Sequence, residues 1–190
     1  MHRGESSFTP RVQAVLSNAW LARRWYYTPR SHRAYSVRQI SPGDRRLLAE
    51  FALALDTQLA QRDESVTQSL NRILFDRVIA SDVDELAVGF AALESTSAGD
   101  RVVGVAAFAP SNRDSSDFIV AVANSFREEQ VGRTLLSTLV RHAKRVGVPR
   151  LTGEMLWSNR PMQMLAMSMG FVVESSPDHR TLRRLHLALK

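Results

Sequence analysis

The chain has 190 residues, of which 25 are Lys or Arg, 19 are Asp or Glu and none is Cys, and its formal net charge at pH 7 is +6. The lack of cysteine excludes disulfide frameworks, thiolate metal sites and cysteine nucleophiles, and it is consistent with a cytoplasmic location. No apolar run approaches the roughly 20 residues needed to cross a bilayer, and the N-terminus lacks a secretory signal pattern, so we expect no membrane span.

The basic excess is concentrated at the N-terminus, where residues 1–34 contain six arginines and one glutamate. A nucleic-acid-binding domain usually spreads its positive charge over the folded surface, so this distribution argues against nucleic acid as the partner of the main domain. Helical spacing of apolar residues predicts one helix from about Pro10 to Trp25. We therefore divide the chain into a basic, aromatic-containing arm over 1–34 and a domain over 35–190.

Hydrophobic periodicity predicts the elements of that domain. A strand over 35–40 is followed by a helix over Arg45 to Ala60 and a second helix over 65–79. Three runs at hairpin spacing predict consecutive antiparallel strands over 86–93, 101–109 and 117–124. The remaining elements are predicted as helix, strand, helix, strand and strand, over 131–146, 150–156, 161–169, 170–174 and 181–189.

Two motifs point to chemistry. The segment Arg127-Glu-Glu-Gln-Val-Gly132 follows a predicted strand and opens a helix, where free N–H groups and the helix dipole can bind a pyrophosphate. Further on, residues 159–171 have the pattern N-x-x-M-x-x-L-x-x-x-x-G-F. With these motifs in this order, the chain from Tyr35 to Leu189 resembles the GNAT superfamily of acyl-CoA-dependent N-acetyltransferases. Its opening, V-R-Q-I-S-P-G-D, is most similar to the acetyltransferase domains of bacterial protein-lysine acetyltransferases.

The resemblance implies an α/β (α+β) fold with a mixed, mostly antiparallel central sheet flanked by helices, preceded here by the basic extension. It implies transfer of an acetyl group from acetyl-CoA to a primary amine by direct attack with general-base assistance. A small molecule and a protein lysine are alternative acceptors, no metal is implied, and a homodimer is an open alternative. The competing hypothesis is a non-catalytic, regulatory domain that binds acyl-CoA.

The cofactor site follows from the family loop Q/R-x-x-G-x-G/A. Arg127 and Gly132 match it, whereas Gln130 occupies the first glycine position. A non-glycine residue in a left-handed conformation there would cost about 1–2 kcal/mol, and a right-handed loop would avoid that cost. The residues expected at acetyl-CoA are Val122, Arg127, Gln130, Val131, Gly132, Arg133, Thr134, Asn159 and Met162.

The resemblance also implies catalytic roles. Asp117 aligns with the glutamate base of protein-lysine relatives, although a solvated carboxylate that closes a polar turn is an equal alternative. Val122 aligns with the position whose main-chain N–H polarises the thioester carbonyl. The usual tyrosine acid is replaced by Ala166, which is tolerable because a thiol with a pKa of about 8.5 leaves readily. Asn159 has a second expected role as the cap of the next helix.

The other candidate residues have plainer interpretations. We expect His142 on a helix surface, and we expect the methionines at 162, 164, 167 and 169 to fill the core. The histidines lack metal-ligand spacing, so no metal site is predicted. In the arm, Trp20 and Trp25 next to arginines leave two alternatives, contact with nucleic acid or a membrane and packing against the domain or a second subunit.

Overall fold

The computed structural model describes residues 24–27, 33–60, 87–127, 130–177 and 179–189. These residues form eight strands and three α-helices, in the order β1 Arg24–Tyr27, β2 Ala34–Gln39, α1 Arg45–Ala60, β3 Val88–Thr96, β4 Gly99–Pro110, β5 Ser116–Val122, α2 Val131–Arg145, β6 Arg150–Leu156, α3 Arg160–Ser168, β7 Val172–Ser175 and β8 Leu182–Ala188. Short 3-10 turns at Pro42–Asp44 and Asn124–Phe126 precede α1 and α2.

All eight strands belong to one sheet with the order β1-β2-β3-β4-β5-β6-β8-β7. Neighbouring strands are antiparallel except β5 and β6, which are parallel. The prediction of a mixed, mostly antiparallel sheet flanked by helices is confirmed. The three consecutive antiparallel strands are confirmed as β3 to β5, and the predicted bounds of α1 and β6 agree with the structure.

The sheet separates two apolar layers. On one face, Leu48, Phe51 and Leu55 of α1 pack with alternate residues of β3 to β5, among them Val105 and Ile119. On the other face, α2 and α3 cover a larger cluster. Because side chains alternate across a strand, odd and even residues of β5 face opposite layers. This alternation decides which layer each residue of the candidate site faces.

A buried ion pair fixes the start of α1. Two nitrogens of Arg38 donate to the Asp44 carboxylate at 2.6 Å each. The backbone N–H and the hydroxyl of Ser41 donate to Asp44 Oδ2 at 2.8 and 2.9 Å. Burial alone would raise the pKa of Asp44, but the hydrogen bonds from Arg38 and Ser41 outweigh burial and hold this pKa below its ordinary value.

The sheet begins before the boundary expected near Tyr35. Strand β1 pairs with β2 in a register that places Tyr26 opposite Tyr35. The predicted helix is therefore wrong at Arg24 and Trp25, because an Arg-Trp-Tyr-Tyr segment favours a strand once it can pair with a neighbour. The rest of that predicted helix and the helix predicted over 65–79 lie outside the described residues.

The surface position expected for His142 is wrong. Its side chain is buried, and its ring lies 5.4 Å from the ring of Phe90 and 6.2 Å from that of Phe108. Leu135, Leu139 and His142 follow helical spacing on the inner face of α2, so the basic neighbours of His142 lie on the other face. Burial lowers the pKa of His142, and the nearby Arg145 lowers it further.

The core role expected for the methionines is correct for two of the four. Met162 and Met169 pack against the core cluster, whereas Met164 and Met167 are 68% and 54% exposed. Helix α3 is short, and Ala166 is its fully buried residue, so one narrow face meets the core and the opposite face meets solvent.

Among the described residues, we find no helix with the length and apolar character that a bilayer crossing requires.

Candidate active site

Strands β5 and β6 form a fork. Their parallel pairing is limited to Ser116 with Leu151 and Asp117 with Thr152, near the start of each strand. Strand β5 then continues to Val122 and β6 to Leu156 without further pairing between them. The two strands therefore separate, and the β5 edge beyond Asp117 is open to a ligand.

A glycine lies where the fork opens. A Cβ atom on Gly153 would lie 2.8 Å from Phe118 Cε1, closer than real side chains come, and 3.1 Å from the Phe118 carbonyl oxygen, which is a tight contact. The Phe118 ring in turn contacts Phe171, with centroids 5.2 Å apart. Glycine at 153 thus lets Phe118 pack against β6 at the point where pairing stops.

The open edge of β5 offers main-chain donors. The N–H of Ala123 donates to Val103 O of β4 at 2.9 Å. Because N–H groups alternate between the two edges of a strand, the N–H groups of Val122 and Val120 point to the opposite edge, into the fork. The expected amide of Val122 thus faces the fork, and Val120, which the sequence did not suggest, has the same orientation.

Helix α2 begins beside this edge. Its first intrahelical hydrogen bond runs from Thr134 N to Gln130 O at 3.0 Å, so the N–H groups over 131–133 have no acceptor within the helix. A Cβ atom on Gly132 would lie 3.7 Å from Val122 Cγ2 and 3.6 Å from Leu165 Cδ2. The helix start, the fork and α3 therefore meet at Gly132, where free amides and the helix dipole favour an anion.

Helix α2 packs closely on the sheet because residue 104 of β4 is a glycine. A Cβ atom there would lie 2.8 Å from Leu135 Cδ1, 3.1 Å from Val131 Cγ1 and 3.2 Å from Ala121 O. A side chain at this position would therefore force Leu135 and Val131 of α2, or the backbone at Ala121, to shift. An isolated glycine within an apolar strand signals such a close approach, and this signal was present in the sequence.

Gln130 adopts the left-handed conformation, with φ 59° and ψ 5°, and is the one non-glycine residue with positive φ among those described. It is the N-cap of α2, yet its side chain makes no capping hydrogen bond. The right-handed alternative is excluded, and the cost of about 1–2 kcal/mol for a left-handed L-residue applies.

The remaining expected cofactor residues surround this helix start. Arg127 is exposed and ends the 3-10 turn, with its N–H donating to Asn124 O at 3.3 Å. Arg133 reaches from α2 to Ser168 of α3 at 3.2 Å. Glu128 and Glu129 lie outside the described residues.

Asn159 and Met162 open helix α3. The Asn159 side-chain oxygen accepts from Met162 N at 3.3 Å, so the capping role expected for Asn159 is present in the structure. The Met162 side chain packs against the core cluster. Both residues belong to the start of the helix whose Leu165 side chain lies near Gly132.

The residue just before β2 contacts the start of the loop. Phe126 is fully buried, and the guanidinium carbon of Arg33 lies 3.9 Å from its ring centroid. Arg33 also pairs with Glu94 at 2.6 Å, and Glu94 accepts from Arg101 at 2.6 Å. A cation held over an aromatic face stabilises both partners, so this cluster fixes the residues just before Arg127.

Asp117 lies apart from the other predicted site residues. It is exposed at the closed end of the fork, where Thr152 Oγ1 donates to its carboxylate at 2.6 Å. Val122 lies five positions further along the strand, which is about 17 Å. Asp117 shares its strand face with Ile119, which packs in the α1 layer. The structure therefore brings Val122 and Gly132 together but leaves Asp117 at a distance.

A cavity of about 280 Å³ lies on the α1 face. Its lining includes Glu50 and Phe51 of α1, Arg101 of β4, and Ala123 and Ser125 beyond β5. The cavity thus adjoins the residue that follows Val122. In the described part of the chain, no group of three or more His, Asp or Glu side chains is arranged to hold a metal ion.

The fork, the helix start and the sheet order can be compared with known proteins. The model of the acetyltransferase (GNAT) family matches residues 52–171, which is more than half of the chain. The chain belongs to the GNAT family. It is therefore an acetyltransferase, and the resemblance inferred from the sequence is confirmed. No curated protein matches the chain in sequence.

Solved structures share the fold of this GNAT chain at low sequence identity. The GNAT domain of S. lividans PAT is 17% identical with a TM-score of 0.63, covering 87% of this chain and 96% of its own. The yncA protein of Salmonella typhimurium, solved with its cofactor acetyl-CoA, is 18% identical with a TM-score of 0.55, covering 82% and 94%. A GNAT acetyltransferase of Staphylococcus aureus is 14% identical with a TM-score of 0.63, covering 82% and 99%.

Proposed function

We propose that this GNAT enzyme transfers an acetyl group from acetyl-CoA to a primary amine, and that the start of α2 binds the diphosphate of the donor. The observation that carries the proposal is the meeting of two sets of main-chain donors. The N–H groups over 131–133 point out of the helix start, and those of Val120 and Val122 point into the fork. Gly132 lies where the two sets meet, because a Cβ atom added there would be in van der Waals contact with Val122.

The donor set fits acetyl-CoA. Its diphosphate is an anion that suits free amides at a helix start, where charge-assisted hydrogen bonds are strong. When bound, acetyl-CoA supplies the acetyl group as an activated thioester. The amides of Val120 and Val122 can donate to a carbonyl oxygen without reorganisation, because the strand holds them in place before any ligand arrives.

The acceptor must lose a proton before it can attack. An amine with a pKa of about 10.4 needs about 4.6 kcal/mol to become neutral at pH 7. Asp117 remains the proposed base. Its position favours a carbonyl held at Val120, about 10 Å along the strand, over one held at Val122. At that distance a proton would reach Asp117 through ordered water, with Thr152 holding the carboxylate.

The acceptor is proposed to be a primary amine that reaches the fork from the α1 face. Asp117 shares its strand face with residues of the α1 layer, and the cavity beside Ala123 opens on that face. A lysine side chain and a small amine both have the required chemistry. We also propose a cytoplasmic location, because protein lysines, small amines and acetyl-CoA are all present there.

Two substitutions at one position test the donor site. Gly132→Ala keeps the amide and places its methyl group at ordinary contact distance, so acetyl-CoA should bind within about twofold of wild type. Gly132→Pro removes that amide, and proline is tolerated in the first turn of a helix. Loss of one charge-assisted hydrogen bond should weaken binding about tenfold or more in isothermal titration.

Turnover is tested by thiol release from acetyl-CoA with lysine peptides and small primary amines. Asp117→Asn should lower the rate and remove the base-dependent limb of its pH profile. An unchanged profile would remove Asp117 from the mechanism. Binding of acetyl-CoA without turnover on any amine would favour the regulatory alternative, and lack of binding by wild type would overturn the donor site.

A further inference from the structure

A buried tyrosine outside the segment matched by the family lies against the proposed donor site. Tyr35 of β2 is 2% exposed, and its hydroxyl oxygen lies 2.9 Å from Thr134 Oγ1 in the first turn of α2. The matched segment begins at residue 52, so neither β1 nor β2 belongs to it. The contact joins two elements separated by 99 positions in the chain.

The direction of these hydrogen bonds follows from the acceptors. Thr134 Oγ1 lies 3.2 Å from Gln130 O, and a carbonyl oxygen can only accept, so the threonine hydroxyl donates there. Its one proton is then used, and Tyr35 must donate to Thr134 for both hydrogen bonds to form at once. The result is a chain of donors that runs from Tyr35 through Thr134 to the Gln130 carbonyl.

This chain ends on the one described non-glycine residue with a left-handed backbone. The same carbonyl also accepts from Thr134 N at 3.0 Å. Both donors to the Gln130 carbonyl thus come from Thr134, and Tyr35 orients the hydroxyl of that residue. Hydrogen bonds arranged in a chain polarise and strengthen one another, so the first donor affects the last acceptor.

The tyrosine ring is itself immobilised. Tyr26 of β1 is its partner across the β1–β2 ladder, and the two rings stack with centroids 5.4 Å apart and planes inclined by 18°. Tyr35 also belongs to the core cluster that α2 covers. The hydroxyl is therefore presented to Thr134 from a fixed position.

We propose that Tyr35 is a positioning residue for the acetyl-CoA site: through Thr134 it holds the Gln130 carbonyl and so stabilises the left-handed turn that presents the amides over 131–133. This inference rests on the proposed function of those amides. It explains how the chain keeps a loop conformation that glycine would adopt without assistance. It also makes the N-terminal hairpin β1–β2 part of the site.

The first test measures acetyl-CoA affinity by isothermal titration. Tyr35→Phe keeps the buried ring and removes the donor, and we expect the Kd to rise about three- to tenfold. Tyr26→Phe is the matched control, because no hydrogen bond joins the Tyr26 hydroxyl to another described residue. It should leave the Kd within twofold. In turnover, Tyr35→Phe should raise KM for acetyl-CoA and leave kcat nearly unchanged.

A shortened donor separates positioning from general damage. Acetyl-pantetheine lacks the diphosphate, so the Tyr35→Phe enzyme should use it as well as wild type does. Thr134→Val should reproduce the defect with acetyl-CoA, and Thr134→Ser, which keeps the hydroxyl, should weaken binding less than Thr134→Val does. An equal loss with both donors would overturn the positioning role.

The second test needs no ligand. If Tyr35 acts on the left-handed turn, then Tyr35→Phe should lower the melting temperature less in the Gln130→Gly background than in the Gln130 background. Equal losses in the two backgrounds would overturn the inference, even with acetyl-CoA binding intact. Failure of wild type to bind acetyl-CoA would instead overturn the proposed function, and the melting comparison would still decide the role of Tyr35.

Discussion

Replacing Gln130 with glycine should stabilise the protein. Gln130 has φ 59° and ψ 5°, a conformation that costs an L-residue about 1–2 kcal/mol and glycine almost nothing. Glycine also lowers the free energy of unfolding by about 0.5–1 kcal/mol, because it gives the unfolded chain more conformational freedom. The Gln130 side chain makes no capping hydrogen bond that would be lost. Taking the middle of both ranges, the net gain is about 0.5–1 kcal/mol.

Thermal unfolding measures this gain directly. For a chain of 150–250 residues, 1 kcal/mol corresponds to about 2–4 °C, so the melting temperature of Gln130→Gly should rise by about 1–4 °C. Gln130→Ala is the matched control, because it removes the side chain but keeps an L-residue in the left-handed conformation. Its melting temperature should stay within about 1 °C of wild type.

The two variants together show whether backbone strain at Gln130 is the source of the gain. If the alanine variant gains as much as the glycine variant, the gain comes from removing the glutamine side chain and not from relief of backbone strain. If neither gains, Gln130 does not have a left-handed backbone in solution. In that case the amides over 131–133 are not presented in the way the structure shows.

Three further predictions concern the fold around the site. Gly104→Ala should lower the free energy of unfolding in urea by about 1–3 kcal/mol and weaken acetyl-CoA binding, because its methyl group would lie 2.8 Å from Leu135. Gly132→Ala should lower the free energy of unfolding far less, because its methyl group would lie 3.6 Å or more from its neighbours. Asp44→Asn should cost about 2–3 kcal/mol at pH 7. The pKa of Asp44 is lowered on folding, so this contribution is present above about pH 3.9, and the gap to wild type should close as the pH falls below that value. The pKa of His142 is also lowered on folding, so the contribution of its neutral imidazole to stability is complete above about pH 6.5 and is lost as the pH falls toward the folded pKa. The urea midpoints at pH 7.5 and pH 5.5 should therefore differ less in His142→Phe than in wild type.

The predictions for Gly104, Asp44 and His142 can each be contradicted by a specific result. Equal costs for the two alanine substitutions would mean that α2 does not sit as closely on β4 as the structure shows. A constant gap between Asp44→Asn and wild type down to pH 3 would remove the ionised carboxylate from the account of α1. An unchanged pH dependence in His142→Phe would mean that the imidazole is not buried in solution.

Much of the fold could be predicted from the sequence because periodicity reports burial. The bounds of α1 and β6 follow from regular apolar spacing, and the strands β3 to β5 follow from apolar runs separated by polar turns. The surface position predicted for His142 is wrong because its basic neighbours in sequence favour a charged surface. Those neighbours lie on a different face of the same helix.

The site was only partly predictable because its geometry depends on pairing between distant segments. The motif gave the loop over 127–134, but the end of the β5–β6 ladder at Asp117 could be read only from the sheet. The sequence places Asp117 and Val122 in the same strand. It does not show that Asp117 lies at the closed end of the fork, far from a carbonyl bound at Val122. Tyr35 carries no local signal, since its role arises from a contact with Thr134 far along the chain.

Main-chain amides over 131–133 and at Val120 and Val122 should bind acetyl-CoA, and an amide NMR titration of the assigned protein with acetyl-CoA can follow each of them. We expect saturable shifts that are largest at these five amides and that are reduced at 131–133 when acetyl-pantetheine replaces acetyl-CoA. Saturable binding that leaves these amides unmoved, or no binding at all, would show that they are not the acetyl-CoA site.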